Sequence, residues 1–252
     1  MALGAVKIAG KTFKANFGRA KHITTKGGDS NNFVTEVDLA IEKHIRATIL
    51  KKFPEHKFIG EELGWNDIGT KDLFWIIDPI DGTTNFIHGV PFCCISIALW
   101  NNQGPLIAVV YNPNTDELLT AQKNKGAFLN GEKIRVSAAT NIKNIYGGAG
   151  WGRDHSMGIK IMPYMIQNVG KVRVFGSSTL ETCAVASGGF DYYVHGRLNI
   201  WDIAAAVLLI TEAGGQATDW QGKKITPQTK QIIASNGKIH KKLLNLVKKI
   251  SA

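Results

Sequence analysis

Cysteine is scarce in this sequence, and no apolar run is long enough to cross a bilayer. The chain has 252 residues and three cysteines. Two of them, Cys93 and Cys94, are adjacent, and the spacing fits neither a disulfide framework nor a metal site. No run reaches the roughly 18 apolar residues of a membrane span, and Lys7 and Lys11 interrupt the N-terminal segment before a signal-like core forms. These absences predict a cytoplasmic protein with buried thiols and no membrane partner.

Acidic residues are also few relative to basic ones. The chain has 20 acids against 30 lysines and arginines, a net charge of +10 and a pI near 9.5. Such a charge attracts nucleic acid, anionic lipid or phosphorylated small molecules. The sequence has no recognition-helix motif and no basic strand interleaved with aromatics, so nucleic-acid binding rests on the pI alone. The 44% hydrophobic content excludes a disordered or fibrous chain.

The first half of the chain predicts helices followed by a meander of strands. Residues 2–17 have helical spacing, and a polar loop follows at 27–32. A long amphipathic helix is expected after Thr35, its N-cap, and ends before Pro54. Short β-rich runs come next, and Asn130-Gly131 predicts a hairpin turn.

The second half is less regular. A glycine-rich run at 146–158 precedes helix-like and strand-like segments, and "WDIAAAVLLITEAGG" predicts a helix with Asp202 on its first turn. The C-terminal "KIHKKLLNLVKKI" fits a basic membrane-surface helix or, as we favour, a helix packed on a sheet. The whole pattern predicts an α+β protein. We expect an α+β subdomain at 1–145 and an α/β subdomain at 146–252, with most of the acidic residues considered next in the first and the rest in the second.

Two aspartates stand three residues apart in "LFWIIDPIDGTTNF", after an apolar run and before Gly-Thr-Thr. Pro79 cannot extend a strand ladder, so Asp78 is expected at the end of a strand, with Asp81 within one turn. Two such carboxylates repel each other unless they share a divalent cation. Gly82 and the amides after it could hold an anion beside that cation. The alternative is that Asp81 caps a helix and Asp78 forms a turn.

Further acids favour the cation. Glu61 and Glu62 follow a short apolar run, and Asp202 begins an apolar helix, where it could instead complement the helix dipole. Strand ends and a helix start that converge on one cleft would give an oxygen-rich site suited to Mg²⁺. No histidine or cysteine spacing typical of zinc competes with it.

Three segments resemble the signature motifs of the inositol monophosphatase family, the Mg²⁺-dependent, lithium-sensitive phosphatases. They are "GEE" at 60–62, "WIIDPIDGTTNF" at 75–86 and "WDIAAAVLLITEAGG" at 201–215. The resemblance implies a layered α/β/α/β/α sandwich of the inositol monophosphatase and fructose-1,6-bisphosphatase type, a homodimer, and hydrolysis of inositol monophosphate or a related sugar or polyol phosphate by metal-activated water. The alternatives are a fructose-1,6-bisphosphatase or bisphosphate nucleotidase of the same superfamily, or a nucleic-acid- or polymerase-associated binding protein.

The resemblance also implies the metal ligands. One Mg²⁺ would be held by Glu61, Asp78 and the carbonyl of Ile80. A second would be held by Asp78, Asp81 and Asp202. A third, weaker ion would share Glu61 with water and the phosphate, so each site would bind two to three ions.

The implied catalytic residues lie in the same motifs. Thr83, paired with Asp38, would polarise the attacking water, and Glu61 would act with them. The amides of Gly82 and Thr83 would hold phosphate oxygens. Lys26 falls near the mobile-loop lysine of the family, and a solvated loop is the competing interpretation.

The substrate side departs from the animal enzymes of the family. The turn at Gly176 is kept, with Ser177 and Ser178, but His195 stands where those enzymes have a glutamate that contacts inositol hydroxyls. His195 and Arg197 could meet a second anionic group on the substrate. The alternative is that Arg197 pairs with a surface acid and His195 lies outside the cleft.

Overall fold

The computed structural model describes residues 1–21, 23–25, 33–152 and 155–251. Lys26 and the loop predicted at 27–32 lie outside the described residues. The helices are α1 (Ala2–Asn16), α2 (Glu36–Leu50), α3 (Thr83–His88), α4 (His155–Asn168), α5 (Ser178–Ala186), α6 (Ala204–Glu212) and α7 (His240–Ser251).

The strands form a two-stranded ribbon and two larger sheets. The ribbon pairs β1 (Ile23–Thr25) with β2 (Phe33–Thr35). The first large sheet contains β3 (Lys57–Gly60), β4 (Gly64–Trp65), β5 (Phe74–Asp81), β6 (Cys94–Asn101), β7 (Gly104–Asn112), β8 (Glu117–Gln122), β9 (Gly126–Leu129) and β10 (Glu132–Lys133). The second contains β11 (Tyr146–Gly150), β12 (Lys171–Arg173), β13 (Tyr192–His195), β14 (Gln216–Thr218) and β15 (Ile232–Ser235).

The eight-stranded sheet is mainly antiparallel, in the order β10-β9-β8-β7-β6-β5-β3-β4. Its exception is the parallel pair β3 and β5. Every residue of β5 is buried, because the strand lies inside the sheet with helices on both faces. The predicted hairpin turn is confirmed: Leu129 pairs with Glu132, and Asn130 and Gly131 both have positive φ, at 50° and 87°.

The five-stranded sheet has the order β12-β11-β13-β15-β14. Its first three strands are parallel, and β15 runs antiparallel to both β13 and β14. Parallel neighbours need crossover connections, which α4 and α5 provide. As a result β13 carries His195 to the same sheet edge as the end of β11, where Gly150 pairs with His195.

The chain forms five layers held together by three apolar cores, which confirms the predicted sandwich. One core holds α1 and α2 against the outer face of the eight-stranded sheet, and a second holds α5 and α6 between the two sheets. The third holds α4 and α7 against the outer face of the five-stranded sheet. Strand alternation explains the division, since Trp75 and Ile77 face the first core while Phe74 and Ile76 face the second. The division into subdomains at residue 145 stays a prediction.

The helix α2 begins as predicted, with Thr35 as its N-cap. The Thr35 hydroxyl oxygen accepts from the amides of Val37 and Asp38, and Asp38 Oδ2 accepts from the Thr35 amide at 2.9 Å, which completes a capping box. The reciprocal bonds satisfy amides that a helix start would otherwise leave unpaired. Asp38 is thereby held at the base of the helix and fully buried.

Two features of the second half differ from the predictions. The sequence pattern did not predict α4, which contains Pro163; Ile161 and Met165 keep it in place by packing into the third core. Asp202 was expected on the first turn of α6, which is wrong, because it lies in the turn at 201–203, one residue before the N-cap, Ile203. The amide of Ala204 bonds to the carbonyl of Ile200, so that turn leads directly into the helix.

The C-terminal helix packs on a sheet, as favoured from the sequence. Leu243, Val247 and Ile250 of α7 lie in the third core, while its lysines lie on the other side. Among the described residues, no helix is long and apolar enough to cross a membrane. The three cysteines are free thiols and buried, as expected.

Candidate active site

A β-bulge brings the two aspartates of β5 to one side of the sheet. Residues three apart on a regular strand face opposite sides. Here Asp78 pairs with Ser96 and Asp81 with Cys94, so three steps along β5 match two steps along β6. The extra residue, beside Pro79, reverses the alternation. Both carboxylates therefore point to the same side of the sheet, which the spacing in the sequence alone did not guarantee.

Glu61 and Asp202 join these aspartates from two other places in the fold. Glu61 follows β3, and its amide donates to the Ile77 carbonyl of the parallel neighbour at 3.2 Å. Asp202 lies in the turn before α6, and its Oδ2 accepts from the amide of Asn199 at 2.6 Å. One carboxylate oxygen each from Asp78, Asp81 and Asp202 lies within 4.8 Å of the others. All four acids line one cavity of about 440 Å³.

The close acids shift one another's protonation. Burial raises the pKa of Asp78 well above its ordinary value, and the charges of Glu61, Asp81 and Asp202 raise it further. Burial also raises the pKa of Asp81, to about 6, although hydrogen bonds from Ser177 and Thr179 act in the opposite direction. The protein thus concentrates negative charge where solvent cannot screen it.

The second half of the chain orients the carboxylate of Asp81. Asp81 Oδ2 accepts from the Ser177 hydroxyl and, at 2.7 Å, from the amide of Thr179. The Thr179 hydroxyl in turn donates to the carbonyl of Asp202 at 2.9 Å. Ser177 was predicted to bind substrate; it is instead fully buried, where its hydroxyl also caps α5 by accepting from the amide of Leu180. The alternative that Asp81 caps α3 is wrong, because Gly82 is the N-cap of that helix.

The residues present fit a hard divalent cation. Asp78 is almost completely buried, and no hydrogen-bond donor among the described residues reaches its Oδ1. A buried carboxylate oxygen without a partner is costly unless a cation meets it. The cluster offers oxygen ligands only, which suits Mg²⁺ rather than a soft metal.

Gly82 and Thr83 lie beside the cluster, at the start of α3. Gly82 has φ of 86°, and a Cβ there would lie 3.0 Å from the carbonyl oxygen of Phe92, so a larger residue would be both strained and crowded. The Thr83 hydroxyl donates to the Ile80 carbonyl at 3.0 Å. Asp38 accepts from the Thr35 hydroxyl at 2.6 Å and does not line the cavity. The predicted pairing of Thr83 with Asp38 therefore stays a prediction.

The substrate side of the cavity brings together Gly176, Ser178 and His195. His195 is buried, and burial lowers its pKa to about 3, so the imidazole is neutral near neutral pH. His195 Nδ1 accepts from the amide of Arg197 at 3.1 Å, which leaves the proton on Nε2. The alternative that His195 lies outside the cleft is wrong, because His195 lines the cavity. Its imidazole offers a neutral hydrogen-bond donor rather than a positive charge.

Arg197 lines an adjoining cavity of about 530 Å³ that shares Glu61, His195 and Asp202 with the first. Lys230 lines the same cavity, and its Nζ donates to Asn199 Oδ1 at 3.0 Å. No local sequence signal marks Lys230, because its position depends on a hydrogen bond from the Leu198 amide to the Lys230 carbonyl, which joins segments about thirty residues apart. Two cations therefore lie beside the acidic cluster.

Glu181, which was not predicted from the sequence, also lines the main cavity. Glu181 is buried, its Oε1 accepts from the amide of Phe175 at 3.1 Å, and burial raises its pKa to about 8. The available signal was that Glu181 is the single charged residue of α5. Trp151 and His155 line the cavity too, and nothing in the glycine-rich run marked them.

Comparisons with known proteins agree with this arrangement. The sequence profile described as the Inositol monophosphatase family matches residues 1–252. The chain is 37% identical over 245 residues to the fructose-1,6-bisphosphatase/inositol-1-monophosphatase of Thermotoga maritima, covering 97% of this chain and 93% of that one. It is 39% identical over 259 residues to the inositol monophosphatase of Dictyostelium discoideum, covering 98% and 93%. The crystal structure of the extragenic suppressor protein SuhB from Bartonella henselae superposes with a TM-score of 0.90 at 34% identity, covering 98% and 96%.

The chain therefore belongs to the inositol monophosphatase family, as the motifs predicted. It is a phosphoric monoester hydrolase of a metal-dependent family, and its aspartate cluster is compatible with metal binding.

Proposed function

We propose that this protein is a Mg²⁺-dependent phosphatase that hydrolyses inositol monophosphate or a related sugar or polyol phosphate. The observation that carries the proposal is the set of carboxylate oxygens from Asp78, Asp81 and Asp202, which lie within 4.8 Å of one another. They form part of a cavity with room for a small phosphorylated molecule, about 440 Å³.

The acids have separate proposed roles as ligands. Glu61, Asp78 and the Ile80 carbonyl would hold one Mg²⁺, and Asp78, Asp81 and Asp202 a second, with Glu61 contributing to a weaker third. The bond from Thr83 to the Ile80 carbonyl does not prevent this, since a carbonyl oxygen has two lone pairs. When bound, Mg²⁺ would offset the charge of the acids and the phosphate and lower the pKa of a coordinated water, which makes that water a better nucleophile.

The chain's own groups would position the reactants. The amides of Gly82 and Thr83 would bind phosphate oxygens, and the Thr83 hydroxyl with Asp38 would orient the attacking water. The oxygen of water would form a bond to phosphorus while the bond from phosphorus to the ester oxygen breaks. The attacking water would give up one proton to solvent, and the departing alkoxide would take one from solvent and leave as the alcohol. Ser177 and Thr179 support this geometry because they fix the carboxylate of Asp81.

A second candidate substrate is fructose 1,6-bisphosphate. The supporting observation is that Arg197 and Lys230 line the cavity that adjoins the acidic cluster. Their positive charges could meet a second phosphate, beyond the one that is hydrolysed. The Thermotoga maritima relative is named for both activities. His195 is neutral and could add one hydrogen bond from Nε2.

A homodimer and a cytoplasmic location also remain proposals. Val90, Val174 and Phe175 are exposed apolar residues, and the ring of Phe175 lies 5.0 Å from that of Phe92, so they form an apolar group suited to self-association. Light scattering after size exclusion would measure the mass, and a monomer at micromolar concentration would contradict the dimer.

The proposed activity is tested by phosphate release from purified protein. The substrates are inositol 1-phosphate, fructose 1,6-bisphosphate and adenosine 3′,5′-bisphosphate, each with Mg²⁺, with Mg²⁺ plus Li⁺, and with EDTA. We expect turnover that needs Mg²⁺ and that Li⁺ inhibits. Turnover that persists after the metal is removed, or no turnover of any phosphate monoester, would contradict the proposal.

A further inference from the structure

Glu42 is a buried acid that contacts the turn after Glu61 and has no part in the mechanism above. It is on the inner face of α2 and is completely buried. Glu42 Oε2 accepts from the amide of Glu62 at 2.8 Å, and Oε1 accepts from the amide of Leu63 at 3.3 Å. Both amides belong to the turn that follows Glu61.

Arg46, one helical turn further along α2, holds the other side of the same turn. Its Nη2 lies 2.7 Å from Glu42 Oε1 and donates to the carbonyl of Gly64, also at 2.7 Å. Gly60 and Gly64 are paired residues of β3 and β4, so they bracket the turn. The ion pair therefore fixes the backbone of residues 62–64 through three polar contacts with the turn.

The glycine before Glu61 admits this arrangement. A Cβ at Gly60 would lie 1.8 Å from Glu42 Oε1, so a larger residue there would displace the carboxylate. On the other side, the amide of Glu61 is bonded to the carbonyl of Ile77. The backbone around Glu61 is therefore fixed on two sides. The amide of Glu61 bonds to β5, and the amides of the next two residues bond to Glu42 of α2.

Stability alone does not account for the pair. Burial raises the pKa of Glu42, and the turn amides and Arg46 counteract that rise. Replacing a buried ion pair by well-packed apolar residues is often neutral or stabilising. A group that orients a metal ligand through hydrogen bonds, by contrast, typically changes metal affinity by about 10–100-fold when it is removed.

We propose that Glu42 and Arg46 are positioning residues for Glu61, holding its turn so that its carboxylate faces the metal site. The inference rests on the proposed Mg²⁺-dependent function. It adds two residues of α2 to those that would support metal binding. Neither of them lines the substrate cavity.

The test measures Mg²⁺ binding to metal-stripped protein by isothermal titration calorimetry, together with the melting temperature of the metal-free protein. We expect Glu42→Gln to weaken Mg²⁺ binding roughly tenfold. Because this change leaves the charge of Arg46 without its buried partner, the melting temperature should also fall, by roughly 10 °C, with the protein still folded at the temperature of the titration. Glu55→Gln is the matched control, since it removes an exposed acid just beyond α2. It should bind Mg²⁺ like wild type.

A double-mutant cycle separates positioning from a general loss of stability. If Glu42 acts through Glu61, then Glu42→Gln added to Glu61→Gln should weaken Mg²⁺ binding by less than about twofold more. Equal tenfold losses in both backgrounds, or unchanged affinity in Glu42→Gln, would overturn the inference. If Glu42→Gln does not fold, Arg46→Lys takes its place, with an expected loss of about threefold; unchanged affinity in that variant overturns the inference too.

The two proposals fail differently. Wild-type protein that neither binds Mg²⁺ nor releases phosphate would overturn both. Wild-type protein that does both, with Glu42→Gln binding Mg²⁺ equally tightly, would overturn only the role of Glu42 and Arg46.

Discussion

The two large sheets contribute different chemistry to one cleft. On the side of the eight-stranded sheet lie Glu61, Asp78 and Asp81, acids at or just after strand ends; burial, together with the charge of Glu61, raises the pKa of both aspartates. On the side of the five-stranded sheet lie hydrogen-bond donors to those acids, such as Ser177, and the cation Arg197.

This difference suggests separate roles for the two sides of the cleft. Clustered carboxylates are unfavourable without a cation, so the first side is suited to the proposed metal binding and the proposed chemical step. A cationic side chain repels a metal ion, and the Ser177 hydroxyl is already engaged with Asp81, so these groups can orient the acids and select among anionic substrates. Asp202 is the exception, because it is an acid that the second side supplies to the metal cluster.

The largest expected effect tests the acidic side. Asp81→Asn keeps the shape of the side chain and can still accept from Thr179, so the fold should persist. The loss of metal-binding charge should reduce kcat by roughly 10³-fold or more. The measurement is phosphate release at saturating Mg²⁺, with circular dichroism to check the fold. Asp116→Asn, at an exposed turn, is the control and should retain full activity; full activity in Asp81→Asn would break the comparison.

A smaller effect separates metal binding from water activation on the same side. Thr83→Ala should lower kcat by about 10²-fold, in the range of acid–base assistance, while the dissociation constant of Mg²⁺ changes little. Thr83→Ser keeps the hydroxyl and should recover most of the activity. The Thr83 hydroxyl is bonded to the Ile80 carbonyl, a proposed ligand. A loss of Mg²⁺ affinity in Thr83→Ala would therefore show that Thr83 positions a ligand instead.

The substrate side should show selectivity rather than a general loss. Arg197→Ala should reduce kcat/KM for fructose 1,6-bisphosphate about tenfold, since a charge-assisted hydrogen bond contributes about 1.5–3 kcal/mol. Turnover of inositol 1-phosphate should change little. Both are measured at fixed Mg²⁺ and ionic strength, with the exposed Arg173→Ala as the control. Equal losses on both substrates would show that Arg197 acts at the phosphate site that both substrates share, and would contradict a role of the second side in substrate selection.

The smallest effect concerns Glu181, a buried acid on the donor side. Its pKa is near 8 in the folded protein against an ordinary 4.5, so the unfolded chain loses this proton first as pH rises. Below about pH 4.5 the group is protonated in both states, and the folded state loses stability as pH rises from there to about 8. Glu181→Gln removes this loss, because glutamine does not titrate.

Urea unfolding of metal-free protein measures this effect. At about pH 9 we expect Glu181→Gln to exceed wild type in the free energy of unfolding by roughly 1–3 kcal/mol, with near equality at about pH 5. The exposed Glu117→Gln is the control and should follow wild type across the range. A constant difference at all pH values would show that Glu181 acts through packing or hydrogen bonding and not through its charge.

Sequence patterns predicted the elements whose signals are local. Thr35 was expected as a cap, and it bonds to amides two and three residues away. The hairpin turn needed only Asn130 and Gly131, which adopt positive φ easily. The capping box was also readable, since threonine followed three residues later by aspartate is its signature, but it was missed.

The pattern failed where distant residues decide the structure. α4 contains Pro163, which interrupts helical hydrogen bonding, so the helix depends on Ile161 and Met165 in the third core. Ser177 looked like a substrate contact because it lies beside Gly176. Its partner is Asp81, 96 residues earlier in the chain, and no local signal records that bond.

The sequence by itself determined which acids the protein has, their order, and the family to which it belongs, because short motifs of fixed spacing carry that information. Only the tertiary structure decided that Asp78 and Asp81 share a side, since the bulge is defined by pairing with β6. It also decided that His195 is neutral, because its low pKa results from burial among residues distant in the chain. Charge is a property of a residue, whereas orientation and protonation depend on its neighbours.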